Sequence, residues 1–158
     1  MRISYRNIDR IGNEYWTCTD GKFHRTDGPA IIHVNGTQEW WVNGQRHRVN
    51  APSIERANGS FEWFYYGQLH RVDGPAVVTP QETQFWYIEG RLHRTDGPAV
   101  TWANGKQEWH QHGKLHRVDG PAVIWADGRS EWWFDHKKIG QFEHWLLANS
   151  EKSTPVQS

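Results

Sequence analysis

A block of 23 residues recurs five times without a gap, and no other feature constrains the fold as strongly. Gly90-Arg91-Leu92-His93-Arg94-Thr95-Asp96-Gly97-Pro98-Ala99 is followed by Asn104-Gly105 and then Glu108-Trp109. Gly113-Lys114-Leu115-His116-Arg117-Val118-Asp119-Gly120-Pro121-Ala122 repeats the pattern, followed by Asp127-Gly128 and Glu131-Trp132. The copies span 21–43, 44–66, 67–89, 90–112 and 113–135. A fixed period in the range of roughly 20–50 residues belongs to a repeat architecture. Each unit of such an array buries its apolar face against its neighbours.

Within a copy the signals are those of strands. Ala30-Ile31-Ile32-His33-Val34 is short and β-branched, Asn35-Gly36 is a strong hairpin turn, and Gln38-Glu39-Trp40-Trp41-Val42 returns. Asn43-Gly44 is a second turn. His24 through Pro29 reads as an extended arm, because a residue before proline avoids the α region. One β-hairpin plus an arm per copy predicts an all-β fold. The hairpins stack into an elongated, twisted antiparallel sheet, with equivalent residues roughly 10 Å apart. Residues 1–20 are expected to form N-terminal lead-in strands or a cap, with Glu14-Tyr15-Trp16 matching Glu39-Trp40-Trp41 and a longer or bulged first hairpin. Phe142, Trp145 and Leu146 have helical spacing and predict a capping helix over 140–148, within a C-terminal cap at 136–149. A flexible tail is expected over 150–158. Two copies are irregular. The second reads Asn50-Ala51-Pro52 and loses the Asp and the Gly, and Pro80 in the third predicts a differently shaped hairpin tip.

Only 36% of residues are hydrophobic, yet 11 of the 158 are Trp, so the core must be built from few, large rings. Trp40, Trp63, Trp86, Trp109 and Trp132 hold one equivalent position and are expected to form a structural ladder. By strand alternation Trp41, Phe64, Tyr87 and Trp133 lie on the opposite face, with His110 in the fourth copy. Together with Trp102 and Trp125 they are the expected partner-binding row, because contiguous exposed apolar surface marks binding sites. His24, His47, His70, His93 and His116 are too far apart to share an ion, so no metal is expected, and each should hydrogen-bond to orient its arm. Arg25, Arg48, Arg71, Arg94 and Arg117 follow them, mostly with an Asp two residues on. These arginines could form an anion-binding row, but the neighbouring acids favour structural ion pairs. The 18 basic and 18 acidic residues cancel, which argues against a dedicated nucleic-acid binder. His, Asp and Arg recur alike in every copy, whereas catalysis needs one asymmetric constellation. No enzyme activity, catalytic residue or cofactor is expected. Cys18 stands alone and implies no disulfide. No apolar run is long enough for a membrane span.

The units resemble the MORN-repeat variant family. The shared features are the 23-residue length and the order turn glycine, aromatic strand and Gly-Lys-x-His, here Asn104-Gly105, Glu108-Trp109 and Gly113-Lys114-Leu115-His116. The His-Arg-x-Asp-Gly-Pro-Ala extension is similar to a subtype of bacterial and phage proteins. The resemblance implies arrays of β-hairpins that serve as interaction or scaffold modules, and it supplies no catalytic residues. The expected function is that of a non-enzymatic protein-binding module. On this resemblance it would be a phage-encoded inhibitor of a host or defence protein, acting by occluding its partner. A bacterial antitoxin or immunity protein, a single-stranded nucleic-acid binder using the Arg row, and a self-associating scaffold or virion component are the alternatives. The expected partner is a protein, not a membrane. The expected location is the cytoplasm, that of the host if the chain is phage-encoded.

Overall fold

The computed structural model describes residues 2–152. Of the tail expected over 150–158, residues 150–152 instead continue the C-terminal helix, and 153–158 lie outside the described residues. The chain divides into two compact units, Met1–Gly90 and Arg91–Ser158. The first contains β1 (Tyr5–Ile8), β2 (Glu14–Thr17), β3 (Ile31–Ile32), β4 (Gln38–Glu39), β5 (Trp41–Val42), β6 (Gln45–Arg46), β7 (Ile54–Glu55), β8 (Phe61–Glu62), β9 (Phe64–Tyr65), β10 (Gln68–Leu69), β11 (Val77–Val78), β12 (Gln84–Phe85) and β13 (Tyr87–Ile88). The second contains β14 (Arg91–Leu92), β15 (Val100–Thr101), β16 (Gln107–Glu108), β17 (His110–Gln111), β18 (Lys114–Leu115), β19 (Val123–Ile124), β20 (Ser130–Phe134), β21 (Lys137–Ile139) and the helix α1 (Gln141–Lys152). Thirteen strands form one antiparallel sheet in the order β1-β2-β3-β4-β7-β8-β11-β12-β15-β16-β19-β20-β21. The expected all-β hairpin array, closed by a helix, is therefore the observed fold. Among the described residues no helix is long and apolar enough to cross a membrane.

Each repeat makes two hairpins, where the sequence predicts one. In the first repeat β3 and β4 belong to the main sheet, while β5 and β6 pair separately. The break falls on the ladder tryptophan. Trp40 donates its N–H to the Ser53 carbonyl (2.8 Å) and accepts from His47 N–H (3.1 Å), so its backbone serves the next arm and the strand bends there. Trp63 and Trp109 do the same with Ala76 and His70, and with Ala122 and His116. Trp16 takes this role in the lead-in strand, bonding Ala30 and His24. The matching residue is therefore Trp16, not Tyr15, and the extra residue lies in the Cys18-to-Lys22 turn.

The turns explain the glycines. Asn43-Gly44 has two successive positive φ angles, 53° and 79°, the geometry of a type I′ hairpin. At the main-sheet tips Gly36, Gly59, Gly105 and Gly128 carry φ of 85–89°. The third tip, expected to differ because of Pro80, has the same bonds: Thr79 and Thr83 pair as His33 and Thr37 do, and Glu82 adopts φ 63° in the glycine position. Proline fits because the Val34 position it occupies bonds to Asn13, outside its own turn.

The fully buried row is Ala30, Ser53, Ala76, Ala99 and Ala122, all at 0% exposure, whereas the ladder tryptophans are half-buried. At these small residues neighbouring backbones bond directly: Ala30 bonds to Trp16 and Glu39, and Ala76 to Trp63 and Phe85. Helix α1 extends past the expected 140–148, and it does not dock through the residues whose spacing signals it. Phe142, Trp145 and Leu146 are exposed, while His144 is buried. The His144 ring lies 4.6 Å from Trp132, and its Nε2 is 2.5 Å from the Arg117 carbonyl oxygen. His144 thus covers the last ladder ring, where earlier repeats use the arginine of the following arm.

Candidate functional site

The five arm arginines are engaged within the fold. Arg25 lies 3.9 Å over the Trp16 ring, Arg48 3.8 Å over Trp40, Arg71 4.2 Å over Trp63 and Arg117 4.0 Å over Trp109. A guanidinium over an indole face is attracted by the ring quadrupole. The same groups bond to the carboxylate two residues on: Arg25 to Asp27 at 2.9 Å, Arg71 to Asp73 at 2.9 Å, Arg94 to Asp96 at 2.8 Å and Arg117 to Asp119 at 2.7 Å. Each also donates to the carbonyl of the arm proline, as Arg25 does to Pro29 at 3.2 Å. These bonds hold the four aspartates below the usual carboxylate range. Gly28, Gly74, Gly97 and Gly120 sit against the guanidiniums so closely that a β-carbon would lie 2.7–3.0 Å from Cζ.

The irregular second arm has a physical account. Asn50 offers no carboxylate and Ala51 adds the methyl group that the other arms exclude. Arg48 keeps its ring and its proline carbonyl, Pro52, but pairs instead with Glu55 on β7 at 2.6 Å. The two departures from the repeat accompany one rerouted ion pair.

The expected contact row is also tied into the fold. Trp41, Phe64, Tyr87, Trp133 and Trp125 are half-buried, and Trp102 is more open, at 38% exposure. Trp41 Nε1 donates to Glu39 (3.1 Å), Trp133 Nε1 to Glu131 (3.0 Å) and Trp102 Nε1 to Glu108 (3.3 Å). Arg46 pairs with Glu39 and lies 4.8 Å over Trp41, and Lys106 lies 5.3 Å over Trp125. Burial pushes the Tyr87 hydroxyl up. The organising residues here are the glutamates of the Glu-Trp pair, Glu39, Glu62, Glu108 and Glu131, which sequence reasoning overlooked although four of the five repeats display them. Glu108 is held at about 2 by its bond from His110, with Lys106 and Trp102 adding to it.

The five arm histidines do orient the arms, through the turn that ends their own repeat. Nδ1 of His24, His47, His70, His93 and His116 accepts the backbone N–H of Asn43, Tyr66, Glu89, His112 and Asp135, at 3.1–3.3 Å. An acceptor Nδ1 requires the neutral ring protonated on Nε2. Burial pushes His47 and His93 down, and His112 adds to the effect on His93.

Successive arms leave grooves between them. In the first unit one groove of about 390 Å³ has Trp63 and Phe64 in its lining, with Arg48, Val49 and Asn50 from one arm and Arg71, Val72 and Asp73 from the next. Its rim is apolar and open: Val49, Val72 and Tyr65 are all at least half exposed. Tyr65 and the neighbouring Tyr66 make an edge-to-face pair at 4.7 Å, and Tyr66 stacks on His47 at 4.1 Å. Tyr66 holds φ 45°, a left-handed conformation uncommon for a bulky aromatic residue. A comparable groove in the second unit, lined by Trp109 between the Arg94 and Arg117 arms, has Thr95 in the place of Val49 and keeps a valine, Val118, in the place of Val72. No protein-family model matches the chain, and no curated protein matches it.

Proposed function

We propose that this chain is a non-enzymatic repeat module, of the MORN-like variant type its repeats resemble, that binds another protein. The observation that carries the reading is the groove of the first unit, where Val49, Val72 and Tyr65 expose apolar surface around Trp63 and Phe64, with Tyr66 beside them. Exposed apolar surface gathered around a concave site favours a protein contact. Tyrosines supply large contact area at low entropic cost. The proposed contact surface keeps Phe64 of the expected row and sets arm residues in the place of Trp41, Tyr87 and Trp133. An inhibitor or immunity protein that occludes its target would need only such a surface, and no reactive centre. A nucleic-acid reading has weaker support, because the guanidiniums it would use are already bonded to aspartates, glutamate and proline carbonyls.

The test is affinity capture from bacterial lysate with three baits: the wild-type chain, Val49→Asp/Val72→Asp, and Trp102→Ala. A nuclease-resistant, salt-tolerant protein retained by the wild type and by Trp102→Ala, but lost with the groove variant, supports the reading. Recovery that vanishes with nuclease, or that is indifferent to the groove substitutions, overturns it. Thermal melts of all three baits establish that each is folded.

A further inference from the structure

The two edges of the thirteen-stranded sheet differ in kind. At the C-terminal edge β21 presents Lys137 and Lys138, both exposed, and α1 follows at once. Charged side chains on a short strand are a usual protection against pairing with another chain. At the other edge β1 is four residues long, twice the length of most strands of the repeats, and nothing among the described residues pairs with its outer side. Around it Ile3, Tyr5, Ile8 and Ile11 are all more than half exposed.

We propose that β1 is a docking edge for a second copy of this chain, which adds its own β1 antiparallel and continues the sheet about a twofold axis. The backbone fixes the geometry. Trp16 donates its N–H to Ala30 and accepts from His24, so its polar groups face away from β1. Antiparallel strands alternate, so Tyr15 and Thr17 face β1, and their register partners Asn7 and Tyr5 face β2. Arg6 and Ile8 are left with outward N–H and C=O groups. A twofold axis normal to the sheet must pass through a matched residue, because paired side chains share a face. Centring on Arg6 sets Arg6 against its own copy, and centring on Ile8 sets Arg6 against Arg10. Centring on Asn7 sets Arg6 against Ile8, so the outward backbone groups of each copy pair with those of the other and no arginine meets an arginine. Arg6 is already paired with Glu14 at 2.9 Å, and the Asn7 amide with the Tyr5 carbonyl and Thr17, so neither enters the junction unpartnered. A head-to-tail junction with β21 would instead bring β1 against the two lysines.

Sedimentation velocity across a wide concentration series tests this. The wild type is expected at twice the 18.6 kDa chain mass. Ile8→Pro removes an outward N–H while sparing the bonds to β2, and should halve the mass. Ile8→Lys places a charge on the junction and should do the same, and it decides the matter if the proline variant does not fold. Melting curves like the wild type's show the variants folded. A wild type that stays monomeric at the highest concentration overturns the proposal. Dimers that survive in both variants, or an open-ended series of larger species, overturn it as well.

Discussion

Replacing Gly74 with alanine isolates the contact that recurs through the arms. Gly74 does not take a positive φ, so the backbone itself would accept alanine. Space would not: the new β-carbon would lie 2.7 Å from Arg71 Cζ and 2.9 Å from Nε. Arg71 cannot retreat without leaving the Trp63 ring, 4.2 Å away, and the Pro75 carbonyl at 3.4 Å. A partly desolvated cation–π contact is worth about 1–2 kcal/mol. The carbonyl bond from a charged donor adds about 1 kcal/mol. Against this, the alanine restricts the unfolded chain and returns about 0.4–1 kcal/mol. The net loss is about 1–2 kcal/mol, or roughly 2–8 °C in melting temperature for a chain of this size. The measurement is a double-mutant cycle by thermal and urea unfolding, with Gly74→Ala made in wild type and in Arg71→Ala. With the guanidinium gone, the alanine should be neutral or stabilising. An equal loss in both backgrounds would refute the reasoning and place the cost in the backbone.

Two further outcomes follow from the charges. His47 and His93 are held neutral in the fold and below their usual values, so the unfolded chain binds more protons. Their contribution is therefore complete above about pH 6.5 and is lost as pH falls through the lower folded values; melting temperatures that rise on acidification from pH 7 to 5 would contradict it. Glu108 is depressed to about 2, so its contribution is present above the unfolded carboxylate range and lost as pH falls toward 2. Glu108→Gln should cost about 1–2 kcal/mol near neutral pH and flatten the acid limb of the stability profile, and a variant as stable as wild type would show the charge to be unimportant.

The period, the turns and the strand pairs were legible in the sequence because each is local. Asn43-Gly44 declares its turn chemistry within two residues, and Ile31-Ile32 needs only its neighbours to read as a strand. What failed was extrapolation through Trp40. Strand alternation assumes a continuous ladder, but the backbone of Trp40 bonds to the following arm and the chain changes hairpins there. The partner of Arg71 is Trp63, in the preceding repeat, and only the fold brings the two together. The helix was legible, but the residue through which it docks was not, for a related reason. Phe142, Trp145 and Leu146 announce a helical period, but the surface offered to α1 is the uncovered Trp132 ring and an open carbonyl. A histidine serves both, and an apolar stripe cannot. The Gly-Pro-Ala run carried the buried row in plain view, yet an alanine gives no sign of burial beside a tryptophan.

The repeat also explains where variation can reside. The Arg, the Asp, the Gly and the His of each arm are held by named contacts, so an isolated change there perturbs the neighbouring unit. Where the second arm departs, Asn50, Ala51 and the Glu55 pairing of Arg48 occur together. Two positions per repeat escape these demands. The residue between Arg and Asp is Thr26, Val49, Val72, Thr95 and Val118 in turn, and the first turn residue is Asn43, Tyr66, Glu89, His112 and Asp135. The turn position uses its backbone N–H for the histidine and takes a positive φ of 45–53°, so its side chain varies but at a cost for residues other than Asn, Asp or Gly. Surface chemistry can therefore change from one repeat to the next while the ladder stays constant. In the first unit the arm position holds Val49 and Val72, two of the three residues that make the groove rim apolar, and the turn position holds Tyr66 beside the third, Tyr65. The two valines of that groove thus stand at a position the arm contacts leave free, which is where selection for a partner can act at little cost to the array.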